Sequence, residues 1–468
     1  LSMEIYDTKE SKVVYTKRWQ TDWKDLATIK DDLSDNILET LEIQILEDSE
    51  THVAESNPEA YEYYLRGKHK FGKRKNLDDI EIARGLFRKA IELDEHLLEA
   101  QLDLGVTYQK TGDYDQAMDI YKPVLEIAKL NNNQPKVAHA LNSIGIIHSL
   151  KGENDTALDY FLQALEIKTE LGNEFSSHSN LNNIGIIYAK RGDYDQALDY
   201  FNRTVKIHQE QNNKPMEMAM LGNIGVLYER KGEYDQAMEH AKTVLDYAKE
   251  TDNIVRASIS YLNIAHSHNG QFENDLALDN YKTALELFLE LGDKDRTSIS
   301  QSHISQIYFR MGEIELAIDY KERALQVQKE MNDTESVAWS FVRLGFLNRL
   351  SGNFEIAIDH LTQAFEFLEE NEDHEMEFYS NLILNRIKKE KGEPFDRVKL
   401  LDLLADVDEI EYLTNFRLYE LLGNKSYIET AHTQLLDKVD VLNHDLKEKF
   451  LNYPIPKQIV EAWEKVQS

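Results

Sequence analysis

A small residue stands at Gly105, Gly145, Gly185, Gly225, Ala265, Ser305 and Gly345, one every forty positions without an insertion. Alanines keep the same step at Ala117, Ala157, Ala197, Ala237, Ala277, Ala317 and Ala357. So do the apolar residues Leu125, Leu165, Val205, Leu245, Leu285, Leu325 and Phe365. Three rows in one register constrain the chain to an array of repeats, each burying its apolar face on the next. Within a unit the spacing is helical: Leu181, Ile184, Ile187 and Tyr188 share one face, and Ala197, Tyr200, Phe201 and Val205 share another. Between such runs lies "GDYDQA", at Gly112–Ala117 and Gly192–Ala197, with "GEYDQA" at Gly232–Ala237. Gly192 suits a helix C-terminus that needs positive φ. Asp193 suits the N-cap of the next helix, with Gln196 completing a capping box, and the second acid suits its first turn. The motif therefore reads as a helix–turn–helix joint, because a metal or catalytic site needs further convergent ligands that it lacks.

This pattern, with "G-D/E-Y" at the turn and an alanine after it, resembles the tetratricopeptide repeat (TPR). The forty-residue period, with "LNNIGIIY" (Leu181–Tyr188) and "LGNIGVLY" (Leu221–Tyr228), resembles the long-loop variety found in kinesin light chain, the spindle-orientation adaptors and bacterial peptide-pheromone receptors. The resemblance implies an all-α, right-handed superhelical solenoid of about eight hairpins, with small residues where the helices of a hairpin cross closely. An earlier unit, Asn57–Asp94, has its alanine at Ala83, thirty-four residues before Ala117, and reads as an ordinary-length repeat. The expected layout is an α/β segment over 1–55, a first TPR over 56–97, seven forty-residue TPRs over 98–377 and capping helices over 378–468. Two irregularities stand out. Pro123 predicts a local kink in its helix, and "HSHNGQFENDLA" places glycine at 270 rather than 272, leaving the geometry of that turn open.

The ends differ from the array. Glu4–Ile45 reads as a strand, a turn, a second strand about Val13–Trp19 and a helix from near Asp25. It resembles the end of a TolB amino-terminal-like domain, which in bacterial transducers precedes "NPEAYEYYLRGKHKF"-type sequence and TPRs. That resemblance implies an upstream nucleotide cyclase, winged-helix domain or kinase, often across a membrane helix. The chain opens at Leu1 and reads as a piece of a longer protein. After about residue 376 the period is lost while amphipathic helical spacing continues, as terminal solenoid units require. Phe416–Lys438 and the segment after it resemble the closing helices of bacterial signalling proteins with such arrays.

Composition narrows the chemistry. Lys and Arg number 53 against 85 Asp and Glu, a formal charge of −32 that repels nucleic acid and anionic lipid. There is no cysteine, hence no disulfide or thiolate chemistry, and no apolar run of the length a membrane helix needs. A soluble domain is expected, its side of any membrane open. No phosphate loop, metal set or catalytic constellation emerges, and no cofactor is expected. His266 and His268 lie on different helix faces, and His268 falls in an aromatic column with Tyr108, Tyr188, Tyr228 and Tyr308, as a packed histidine would. "GNKS" (Gly423–Ser426) reads as a loop with Ser426 at a helix N-cap, and the acidic run Glu366–Tyr379 as a solvated face or an acidic docking surface.

The TPR resemblance implies that the first helix of each hairpin lines a concave groove. Two residues before the small position its column reads Asp103, Ser143, Asn183, Asn223, Asn263, His303 and Arg343; five residues after it, Lys110, Leu150, Lys190, Arg230, Gly270, Arg310 and Leu350. Asparagine amides suit the backbone of an extended peptide, and Lys and Arg suit carboxylates. Asn183, Asn223, Asn263, His303, Arg343, Lys190, Arg230 and Arg310 are thus the expected peptide-binding residues. The expected function is a protein-interaction scaffold or sensor of a bacterial signalling protein, holding an acidic or C-terminal peptide segment. The alternative is a regulatory, self-associating region, a homodimer for instance, of a larger enzyme such as a class III nucleotide cyclase. A small-ligand sensor is a third reading.

Overall fold

The computed structural model describes residues 2–7, 12–18, 57–172, 174–408, 410–440 and 442–467. Strands β1 (Ser2–Asp7) and β2 (Lys12–Arg18) pair antiparallel, Ser2 opposite Arg18. The helix expected from near Asp25 lies outside the described residues. The chain divides into two compact units, Leu1–Gln211 and Asn212–Ser468.

In the first unit, helices alternate as consecutive hairpins: α1 (Pro58–Gly72) with α2 (Leu77–Leu93), α3 (Leu98–Lys110) with α4 (Tyr114–Leu130), α5 (Gln134–Leu150) with α6 (Asn154–Glu170), and α7 (His178–Arg191) with α8 (Tyr194–Glu210). The second unit continues the pattern with α9 (Lys214–Arg230) and α10 (Tyr234–Glu250), α11 (Ile254–Gly270) and α12 (Asn274–Leu291), α13 (Lys294–Met311) and α14 (Ile314–Met331), and α15 (Thr334–Leu350) and α16 (Phe354–Leu368). It closes with α17 (His374–Glu390), α18 (Arg397–Ala405), α19 (Tyr412–Leu422), α20 (Lys425–Asp440), α21 (His444–Leu451) and α22 (Pro454–Gln467). The helix around Pro123 runs unbroken from Tyr114 to Leu130.

The periodic small residues are a packing requirement. A Cβ built on Gly145 or Gly185 would stand 2.7 Å from the ring of Phe161 or Phe201, and one on Gly105 only 2.3 Å from Tyr121. Aromatic rings sixteen residues on therefore press against bare backbone, and the hairpin closes around them. The glycines of the joint do the other expected job: Gly112, Gly152, Gly192, Gly232, Gly312 and Gly352 all have φ between +77° and +89°, the left-handed conformation that ends a helix.

The acids of the joint behave differently from expectation. Asp193 makes no side-chain cap bond, and neither do its counterparts Glu153, Glu233 and Glu273. The side chain turns back across the joint instead, Glu153 to His148, Glu273 to His268, and Glu233 to Lys231 at 2.7 Å. Side-chain caps sit at the other joint, where Asn133, Asn253, Asp293 and Asp333 accept from the amide three residues on. The second acid reaches thirty-six residues ahead: Asp115 accepts from Lys151 at 2.7 Å, Asp155 from Arg191, and Asp235 from Gln271 at 2.8 Å. It fastens one repeat to the turn of the next, a contact between hairpins that the motif alone does not reveal. Ser426 likewise lies inside the first turn of α20, and Asn424 Oδ1 accepts from its amide at 3.1 Å as the cap.

The irregular turn of the fifth forty-residue unit has a specific geometry. Phe272 occupies the position of the joint glycines with φ +57°. Gly270 leaves room for the Tyr234 ring, 2.2 Å from where its Cβ would be. Phe272 is half-buried because the C-terminal helices return to it: its ring centroid is 4.2 Å from that of Phe450, its carbonyl accepts from Tyr453 Oη at 3.3 Å, and Lys449 pairs with Asp275 at 3.1 Å. The terminal helices thus fold back onto the joint between α11 and α12 of their own unit.

Candidate functional site

The expected binding residues fall into three environments. In the first unit Lys190 is exposed at the end of α7, while the Asn183 amide donates to Asn142 Oδ1 at 3.2 Å beside Asn180, which donates to the same atom at 3.1 Å. Asn183 is therefore part of an amide cluster linking α5 to α7. In the second unit Asn223 and Arg230 are exposed on α9, and Asn263 is half-buried on α11.

His303 sits in an aromatic stack on α13. Its ring lies 5.1 Å from Tyr281, nearly parallel, and 4.8 Å from His266 edge-on, and His266 Nδ1 is 3.7 Å from Glu229. Burial, with His266 adding to it, pushes the His303 imidazole down to about 4. The ring is neutral at pH 7 and serves as a hydrogen-bonding aromatic surface, not a cation.

Arg310 and Arg343 enter a recessed cavity of about 670 Å³, formed by α13, α15 and α17 on one side and α19, α20 and α22 on the other. Arg310 donates to the Asn269 carbonyl at 3.4 Å and Asn274 Oδ1 at 3.0 Å, with its guanidinium 5.3 Å from the Phe272 ring centroid. Arg343 lies 4.6 Å from the Phe309 centroid and 5.3 Å from Phe346. Neither has a carboxylate partner among the described residues. Burial holds Arg310 below the usual guanidinium range; it brings Arg343 down to about 10, Arg417 contributing a second positive charge. Trp339, Tyr379 and Tyr412 complete an aromatic lining.

The repeat register singles out Arg310 and Arg343, but it does not announce the cavity they enter. Arg349, Arg386 and Arg417 line it too. No periodic row marks them, and Arg417 reaches the site only because the terminal helices fold back. The one signal available was Phe272 standing where the period calls for glycine.

Comparison with known proteins settles what the repeat is. The tetratricopeptide repeat family model matches residues 96–170, 177–250 and 256–330. These are tetratricopeptide repeats. A second model, anaphase-promoting complex subunit 5, matches residues 341–392. Among solved structures the chain is similar to a signal transduction ATPase with numerous domains carrying a tetratricopeptide repeat sensor, from Pyrococcus horikoshii. The TM-score is 0.55 at 16% identity, covering 85% of this chain and 56% of that one. It is also similar to a Rap protein complexed with competence and sporulation factor, with TM-score 0.46 and 14% identity over 79% of this chain and 97% of that one. The first likeness shows a TPR-like solenoid fold. No curated protein sequence matches the chain. Among the described residues no group of three or more His, Cys, Asp or Glu converges as metal ligands would, and no helix is long and apolar enough to cross a membrane.

Proposed function

We propose that the chain is a protein-interaction scaffold whose inner helices hold an extended, acidic segment of a partner. The carrying observation is the state of its cations. In a chain of net charge −32, most lysines and arginines of the turns are paired, yet Lys190, Arg230, Arg310 and Arg343 have no carboxylate partner among the described residues. All four belong to the inner helices α7, α9, α13 and α15 at fixed repeat positions. Cations left without a carboxylate in an acidic protein attract an anionic partner. Asn223 and Asn263 add amides able to pair with an extended backbone.

A photo-crosslinking residue at Asn223, on α9, tests the reading against the same residue at Lys242, an exposed position on α10. A partner captured from position 223 and not from 242 is the expected result. Equal capture from both positions, or capture from 242 alone, contradicts it.

A further inference from the structure

The deep wall of the cavity carries more positive charge than its carboxylates balance. Arg349 is 3.0 Å from Glu390, Arg386 is 3.2 Å from Glu390 and 3.5 Å from Glu420, and Arg417 Nη1 is 2.7 Å from Glu420. Three guanidiniums thus share two carboxylates, and Arg343 adds a fourth with none. The remaining acids of the lining, Glu375 and Glu411, are exposed, and Glu411 takes Lys438 at 3.4 Å.

Arg417 shows the imbalance atom by atom. It is 6% exposed, yet its Nε and Nη2 are buried with no hydrogen-bond partner. Leaving charged donors unmet in a buried site is costly unless an acceptor occupies it. Arg417 and Arg343 share one ring: their guanidinium carbons lie 5.5 and 5.3 Å from the centroid of Phe346. A fork of planar donors beside aromatic faces is suited to an oxyanion, which accepts in pairs from guanidinium. Phe309, Trp339, Val342, Leu382 and Ile383 add an apolar face to the lining. A cavity of about 670 Å³ lies within the size of typical small-molecule sites.

We propose that this cavity binds an organic anion, its carboxylate or phosphate held by Arg343 and Arg417 and its apolar body resting on Phe309, Trp339 and Phe346. The inference rests on the reading of Arg343 as a ligand-facing cation, and is independent of what lies along α7 and α9. The same chemistry comes from two sources, a free small acid or the terminal carboxylate of a peptide.

The test is calorimetric titration of the full chain with three anions: 3-phenylpropionate, phenyl phosphate and a pentapeptide ending in phenylalanine. Each is paired with its neutral counterpart, namely the amide, phenol and the peptide amide. Tryptophan fluorescence, compared with that of Trp339→Phe, provides a second readout. One-site binding of at least one anion is expected, with its neutral counterpart at least tenfold weaker. Arg343→Gln should weaken it at least tenfold while the circular dichroism spectrum is unchanged, and Arg343→Lys should weaken it less. The tighter of free acid and peptide names the source. Saturation by none of the anions, equal affinity for a neutral counterpart, or unchanged affinity in Arg343→Gln overturns the proposal. Since Lys190 and Arg230 lie outside the cavity, failure here alongside selective crosslinking at position 223 would leave the scaffold reading standing.

Discussion

Replacing Gly185 by alanine puts a methyl carbon 2.7 Å from Phe201 Cε1 and 2.8 Å from Cδ1. Unstrained carbon contacts need about 3.5–4.0 Å, so the ring or the hairpin must give way by close to 1 Å. Phe201 is 3% exposed and cannot swing into water. Overpacking of this kind costs about 1–3 kcal/mol. Against it stands the gain of removing glycine from a helix interior, roughly 0.5–1 kcal/mol. The net expectation is a loss of about 0–2.5 kcal/mol, centred near 1, a few degrees in Tm for a cooperative unit of this size. Gly85 is the control. It lies inside α2 of the same unit with nothing within 4 Å of its would-be Cβ, so Gly85→Ala should stabilise by the propensity difference alone. Urea and thermal unfolding followed by circular dichroism read both variants. If Gly185→Ala stabilises as Gly85→Ala does, the close crossing is not what the periodic glycine serves.

Phe272→Gly removes a positive-φ strain of roughly 1–2 kcal/mol but also the ring that seats Phe450. Limited proteolysis should then cleave within residues 442–467 faster than in the parent chain, and an unchanged rate would show that the terminal helices are held by other contacts. Asn253→Ala, which deletes the bond to the Arg256 amide at 2.9 Å, should cost about 1 kcal/mol by chemical denaturation. The histidines give a pH signature. Burial lowers His139 and His303 to about 4 from an unfolded value near 6.5, so the unfolded chain binds more protons between those limits. Their contribution is intact above about pH 6.5 and is lost as pH falls toward 4. Thermal scans of His303→Gln should therefore show a shallower loss of Tm across that window than the parent chain, and an identical slope refutes the assignment.

Much of the fold was written in the sequence because repeats state their own register. The rows of glycine, alanine and leucine place each hairpin, and Gly192 announces a left-handed turn by having no side chain to obstruct it. The acids beside it were less readable. Asp193 and Asp195 have the composition of a helix start, but the first goes uncapped, and the counterparts of the second, Asp115 and Asp155, bind residues thirty-six positions ahead. Local propensity contains no record of such a partner. The site divided along the same line. Lys190, Asn223 and Arg230 are exposed, whereas Asn183 is engaged by Asn142, and His303 is a half-buried, neutral ring in an aromatic stack. Arg417 joins Arg343 through contacts such as Tyr453 with Phe272, 181 residues apart, which no short-range pattern encodes.

The most direct measurement of the scaffold claim is partner retention by the full chain beside Lys190→Glu/Arg230→Glu. Both residues are exposed and make no ion pair among the described residues, so the variant should keep the parent's circular dichroism spectrum and Tm. With immobilised protein and quantitative mass spectrometry of what is retained, the account predicts a partner with an acidic segment whose retention falls at least tenfold in the variant and recovers in Lys190→Arg/Arg230→Lys. A partner retained equally by all three would contradict it, since the open cations of the inner helices would then play no part in binding.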